Sequence, residues 1–154
     1  MKLIEPSDAH LVELMSWFKD ETQLATWSGP GFRYPFDSVT FKEDLKLTSL
    51  PSFSLVSQQG ELLAFGQYYL REKRCHLGRL VVNPSKRGQG IVATLVARLA
   101  VKGKGHLKVK TCSLVVFVDN THAIRAYQKL GFEQSKYPTN MPLAGCIYMV
   151  SDLG

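Results

Sequence analysis

Cysteine is scarce and scattered: Cys75, Cys112 and Cys146 are the three present in 154 residues. An odd, widely spaced set makes neither a metal-ligand cluster nor a disulfide framework. No metal is therefore expected, and a reducing cytoplasm fits best. No apolar run approaches the ~20 residues of a membrane span. The opening residues, Met1-Lys2-Leu3-Ile4-Glu5-Pro6, lack the apolar core of a secretory leader. No membrane partner is expected. Acidic residues are outnumbered, 13 against 19 basic, and the net charge of +6 favours anionic partners without saying which. Nothing repeats and nothing is low in complexity. What is there is the composition of an ordinary globular protein, 45% hydrophobic and 21% charged. The length suits one domain, 1–154, with a real core.

Basic residues gather as Lys86, Arg87, Arg98, Lys102, Lys104, Lys108 and Lys110. A solvated helix face and a flexible turn at Gly103-Lys104-Gly105 account for those from Arg98 on. No aromatic-interleaved basic strand, zinc spacing or recognition-helix pattern accompanies them, so nucleic acid is not an expected partner.

The pattern of elements is mixed. Leu3 to Glu5 is a short strand. Ser7 or Asp8 caps a helix over Ala9 to Phe18, with Leu11, Leu14, Met15 and Phe18 on its apolar stripe. Thr26 to Phe36, with two Gly and two Pro among aromatics, reads as a structured loop. A helix from about Ser38 to Ser49 follows. Strands at Phe53–Ser57 and Leu62–Leu70 flank a hairpin signal, and a third, His76–Val82, follows the charged turn Arg71 to Arg74. A helix spans about Gly88 to Lys102. Thr111 to Val118 is nearly continuous apolar strand, buried on both faces. Asn120 caps a helix that Gly131 ends, and Cys146–Val150 is the last strand. The order is β-α-α-β-β-β-α-β-α-β-β, a mixed α/β (α+β) domain.

One stretch carries chemistry. Leu80 to Val92 reads LVVNPSKRGQGIV: an apolar strand, a basic glycine-bearing loop, then a helix with Ile91, Val92, Leu95, Val96 and Leu99 on one face. The first N–H groups of a helix lack intrahelical partners, and the helix dipole places positive charge there. Gly88 and Gly90 allow close approach to the backbone. Lys86 and Arg87 add charge. Together they point to a ligand carrying phosphates. A dinucleotide fingerprint, Gly88-x-Gly90-x-x-Ala93 with Asp119 beyond, is matched more weakly. A polar stretch including Pro84 separates strand from glycines, where a dinucleotide turn follows its strand directly.

This order, with this loop, resembles the GCN5-related N-acetyltransferase (GNAT) superfamily over essentially the whole chain. Arg87-Gly88-Gln89-Gly90-Ile91-Val92 represents its pyrophosphate motif, with Val92 where Gly or Ala is usual. Asn120…Tyr127…Leu130-Gly131-Phe132 looks like its second acetyl-CoA element. The resemblance implies the GNAT fold, a mixed and mostly antiparallel sheet flanked by helices. It implies acetyl-CoA as cosubstrate and acetyl transfer to a primary amine of a small molecule, a protein N-terminus or a lysine. Leu80, Val81 and Val82 would hold the pantetheine arm through their backbone. Amides of Arg87, Gly88, Gln89, Gly90, Ile91 and Val92 would hold the pyrophosphate. Asn120 would contact the coenzyme, and Tyr127 would be the general acid. On the residues alone, Asn120 also reads as a helix cap and Tyr127 as a core aromatic.

Amine attack needs a base, because alkyl ammonium groups titrate near pKa ~10. Val115 stands where some family members carry a glutamate base. Other members place a His or Glu on the strand before the loop; here that position is His76. A structural His is the other reading, and Glu43, Glu61, Glu72 or water stay open. Thr26–Phe36 and Tyr137–Gly145 should wall the acceptor pocket. Trp27, Phe32, Tyr34 and Phe36 offer cation–π surfaces or simply pack the loop. No acidic cluster lines either segment, so a polycation is not the favoured acceptor. A non-catalytic acyl-CoA-binding or regulatory domain is the alternative function. Oligomeric state stays open, a homodimer included.

Overall fold

The computed structural model describes residues 1–152. Strand β1 (Lys2–Ile4) leads to helix α1 (Asp8–Ser16). Ser7 caps it: its Oγ accepts from the His10 amide, and His10 Nδ1 accepts from the Ser7 amide, both at 3.1 Å. This reciprocal box satisfies two donors that a helix start leaves open. Helix α2 (Glu21–Ser28) was not anticipated and takes in the first part of the expected loop. Asp20 Oδ1 accepts from the Gln23 amide at 2.8 Å, and Gly29 at φ 74° stops the helix. With only Leu24 and Ser28 buried, α2 shows little periodicity in the sequence. Helix α3 (Ser38–Leu45) is capped by Asp37 and ends at left-handed Lys46, φ 56°, short of Ser49.

Strands β2 (Ser52–Val56), β3 (Leu62–Arg71) and β4 (Arg74–Val82) follow as expected. Glu72 and Lys73 turn the last hairpin, both left-handed (φ 50° and 63°), as a turn matching the strand twist requires. A 3-10 turn, Pro84–Lys86, precedes α4 (Ile91–Leu107). Then come β5 (Cys112–Phe117), α5 (Thr121–Lys129), β6 (Glu133–Ser135) and β7 (Cys146–Ser151). The sheet order is β1-β2-β3-β4-β5-β7-β6. The β1–β2, β2–β3, β5–β7 and β6–β7 ladders are antiparallel. β4 and β5 run parallel and pair at Cys75–Cys112 and His76–Ser113. This is the mixed, mostly antiparallel GNAT-type sheet that the resemblance implied.

The chain divides into two compact units. Residues 1–67 and 79–91 form the first. Its core joins Leu11, Leu14 and Trp17 of α1 and its C-cap, Leu24 of α2, Phe41 and Leu45 of α3, and Leu62 and Phe65 of β3. Leu14, Phe41 and Leu45 are completely buried. Truncating Phe41 to Ala there would cost roughly 3–5 kcal/mol.

Residues 68–78 and the chain from Val92 form the second unit. Here α4 continues through Gly103-Lys104-Gly105, which the sequence suggested was a flexible turn. Gly103 is an approach glycine: a Cβ there would run into Cys75 Sγ and lie 3.0 Å from the Tyr68 ring. The helix packs onto these two residues so closely that no side chain fits.

Strand β4 carries a local irregularity. Arg79 is left-handed, φ 48°. Before it, His76 meets the Tyr69 ring with centroids 5.3 Å apart. At it, Arg79 Nη1 donates to Gln67 Oε1 at 2.9 Å.

Candidate active site

In the first unit the phosphate-type loop is built on β4. Leu80, Val81 and Val82 are half-buried, and Val81 packs on the helical core. Asn83 then fastens the strand end. Its amide donates to Leu63 O at 2.8 Å, its Nδ2 to Leu62 O at 3.0 Å. Its Oδ1 accepts from the Ser85 amide at 3.0 Å and the Ser85 hydroxyl at 2.9 Å. Sequence reasoning passed over Asn83. The signal was Asn-Pro-Ser, a side chain able to accept from the residue two ahead.

The loop itself, Arg87 to Gly90, is exposed. Gly88 (φ 79°) and Gly90 (φ 74°) are left-handed, and a Cβ on either would meet nothing within 4 Å. The glycines serve backbone conformation and leave the approach open, rather than relieving a clash in the chain. Ile91 starts α4 and is buried, and Val92 is half-buried. The 3-10 turn between strand and glycines removes the dinucleotide reading, which needs the turn to follow its strand directly. Lys86 Nζ lies 3.2 Å from Glu61 Oε1, so Glu61 is occupied by the loop.

Three of the Thr26–Phe36 aromatics, Trp27, Phe32 and Phe36, pack against the helical core. Trp27 stacks on Phe18 at 4.5 Å between centroids and on Phe41 at 6.0 Å. Phe32 and Phe36 also lie against the core, while Tyr34 is exposed. Glu43 pairs with Arg33 at 3.0 Å, and Glu72 sits in the hairpin turn.

In the second unit His76 is 4% exposed. Its Nδ1 lies 2.9 Å from Ser113 Oγ. Burial, with the Arg71 charge adding, pushes its pKa down to about 3. The imidazole is neutral at physiological pH, able to accept a proton but weakly basic. Tyr127 is buried and packs on Phe132 at 6.1 Å between centroids. Burial pushes its phenol up to about 12, so it keeps its proton and can donate it. Asn120 is exposed and caps α5: its Oδ1 accepts from the Ala123 amide at 3.3 Å. The cap uses the side-chain carbonyl oxygen. Cys75 and Cys112 are buried free thiols, and the hydrogen bond with Cys112, with burial adding, pushes Cys75 up.

Among the described residues no helix is long and apolar enough to cross a membrane. The profile of the Acetyltransferase (GNAT) family matches residues 11–132. Spermidine N-acetyltransferase from Vibrio cholerae, solved in complex with CoA and spermine, shares the fold. It is 17% identical, covers 97% of this chain and 93% of its own, and has a TM-score of 0.73. A chimera built on that enzyme is 18% identical, covers 98% and 96%, and has a TM-score of 0.71. At such identities the likeness is one of fold, while the family match spans well over half the chain. The chain belongs to the GNAT family and is an acyltransferase with acetyl-CoA as its cosubstrate.

Proposed function

We propose that the chain moves the acetyl group of acetyl-CoA onto a primary amine of a small molecule, a protein N-terminus or a lysine, by direct attack in a ternary complex. The observation that carries this reading is the exposed loop with two left-handed glycines at the start of α4. Its amides, from Arg87 to Val92, hold the pyrophosphate, where helix N–H groups and the dipole favour anions. Leu80, Val81 and Val82 hold the pantetheine arm and the thioester through main-chain groups. Backbone N–H groups there stabilise the oxyanion that develops as the amine attacks. The Asn120 side-chain NH₂ contacts the coenzyme.

The leaving thiolate takes its proton from Tyr127, which burial keeps protonated. The proton of the incoming ammonium goes to His76 directly or through water. A buried imidazole of pKa about 3 is a weak base, so its share falls at the low end of the ~10²–10⁴-fold that positioned acids and bases contribute. The single domain over 1–154 belongs to this proposal, as does a cytoplasmic location. The family match running through both units supports the former, and three free cysteines support the latter. The test is thiol release from acetyl-CoA with a panel of amines, with mass spectrometry of the product. Release that depends on an amine, with one acetyl group gained, supports transfer. Binding without any turnover contradicts it.

A further inference from the structure

Arg71 ends β3 and Arg74 begins β4, with Glu72 and Lys73 as the turn between them. Residues that flank a two-residue hairpin turn face one another across the strands, and like charges placed so are destabilising. The pair is nonetheless built in. Arg71 Nε donates to the Tyr137 hydroxyl at 2.8 Å, and Arg74 Nη1 to the Tyr148 hydroxyl at 3.2 Å. Each guanidinium also lies over the ring it bonds, 5.7 Å and 5.9 Å from the centroids. The two rings meet edge to face at 4.9 Å. Both tyrosines are buried, so two half-buried cations are seated on one fixed aromatic pair. Hydroxyl groups and ring faces orient these charges without cancelling them. Among the described residues neither guanidinium forms an ion pair with a carboxylate, that of Glu72 between them included. Lys73, exposed in the turn, adds a third basic residue.

The pair adjoins the base of the reading above. Tyr69 interacts with Arg71, and its ring meets that of His76 at 5.3 Å between centroids. The Arg71 charge reaches His76. Arg74 precedes His76 by two residues on β4, about 7 Å along the strand and on the same side of it. Tyr137 opens the segment expected to wall the acceptor pocket. Every contact named lies within the second unit. Each guanidinium keeps donors beyond those its tyrosines accept. Two such groups are suited to grip a carboxylate or a phosphate in forked, charge-assisted hydrogen bonds. They would repel a polycation.

We infer that Arg71 and Arg74 bind an anionic group of the acceptor, a carboxylate or a phosphate carried about 7 Å or more from the amine that is acetylated. This rests on the acetyltransferase reading, with His76 receiving the ammonium proton. The two arginines are specificity residues and take no part in proton transfer.

The experiment compares kcat/KM for 6-aminohexanoate, 6-aminohexyl phosphate, 6-aminohexanamide and spermidine, using the wild-type chain and saturating acetyl-CoA. The carboxylate, the phosphate or both should exceed the amide by about tenfold or more, through KM. The higher of the two identifies the anion. So far from the amine, the anion hardly alters the acidity of the ammonium, so the ratio reads binding. In the Arg71→Gln, Arg74→Gln double variant the anion-to-amide ratio should collapse towards one. The Arg71→Lys, Arg74→Lys double variant should keep part of it. Acetyl-CoA affinity should hold in both. Arginines that serve the fold alone would lower turnover of charged and uncharged acceptors alike and leave the ratio unchanged, overturning the inference. So would a wild-type ratio at or below one for both anions, or a preference for spermidine. The wild-type comparison decides even where a variant does not fold. Failure of acetyl-CoA to bind, or binding with no turnover of any amine, would overturn the acetyltransferase reading itself, an outcome separate from turnover without anion preference.

Discussion

His76 Nδ1 and Ser113 Oγ lie 2.9 Å apart, and the same two residues are register partners where β4 meets β5. The hydroxyl fixes the imidazole at the start of the parallel ladder, and burial keeps that imidazole uncharged. The strand pairing and the protonation state are thereby linked.

The link has a pH signature. The folded pKa of His76 is about 3, below the unfolded value of ~6.5. Between those values the unfolded chain binds the extra proton. The contribution is complete above pH ~6.5 and is lost as pH falls towards about 3, at up to ~1.4 kcal/mol per pH unit. Urea unfolding at stepped pH should show His76→Gln losing less stability than wild type over that interval. Identical slopes would show that His76 is not buried neutral. For the same reason the rate profile should carry no acidic limb near 6.5 owed to His76.

Tyr127→Phe keeps the ring and its contact with Phe132 while removing the hydroxyl. A loss in kcat of about 10²–10⁴-fold with little change in acetyl-CoA affinity is expected. Full kcat, with chemistry shown to limit the rate, would remove Tyr127 as the acid.

The two glycines late in α4 should behave oppositely. Gly103→Ala drives a Cβ into Cys75 Sγ and the Tyr68 ring and should cost about 1–3 kcal/mol. Gly105→Ala meets nothing within 4 Å and should gain up to ~1 kcal/mol from helix propensity. Thermal melts of both variants check this. Equal effects would mean that the helix does not sit on Cys75.

These glycines also show where the sequence was legible. Gly88, Gly90 and Gly131 announced themselves because each punctuates a periodic apolar run. Gly103 looked the same, but its cause is tertiary: residues far back in the chain occupy the space of its side chain. Helix α2 was missed because its cap, Asp20, precedes a helix with little buried surface to make a stripe. The left-handed backbone of Arg79 was invisible, since nothing in an apolar run marks a single residue of positive φ. His76 was legible as a chemically apt residue, but its burial against Ser113 follows from a pairing between distant strands. Asn120 and Tyr127 fell on their expected elements, since a cap and an apolar helical stripe are local signals.

Val92 is half-buried one residue into α4, where the family usually has Gly or Ala. If its branched side chain crowds the phosphates, Val92→Ala should tighten acetyl-CoA binding modestly, and Ala avoids the ~1 kcal/mol helix penalty of Gly. Weaker binding by a folded Val92→Ala chain would show that Val92 is useful where it stands.

The claim on which everything else depends is that the loop from Arg87 to Val92 holds the pyrophosphate. Calorimetric titration of acetyl-CoA into Gly90→Glu addresses it directly, with circular dichroism confirming the fold. A carboxylate and a Cβ placed at an open, left-handed position of the loop should raise the Kd at least about tenfold, ~1.4 kcal/mol. Wild-type affinity in a folded Gly90→Glu chain would contradict the assignment.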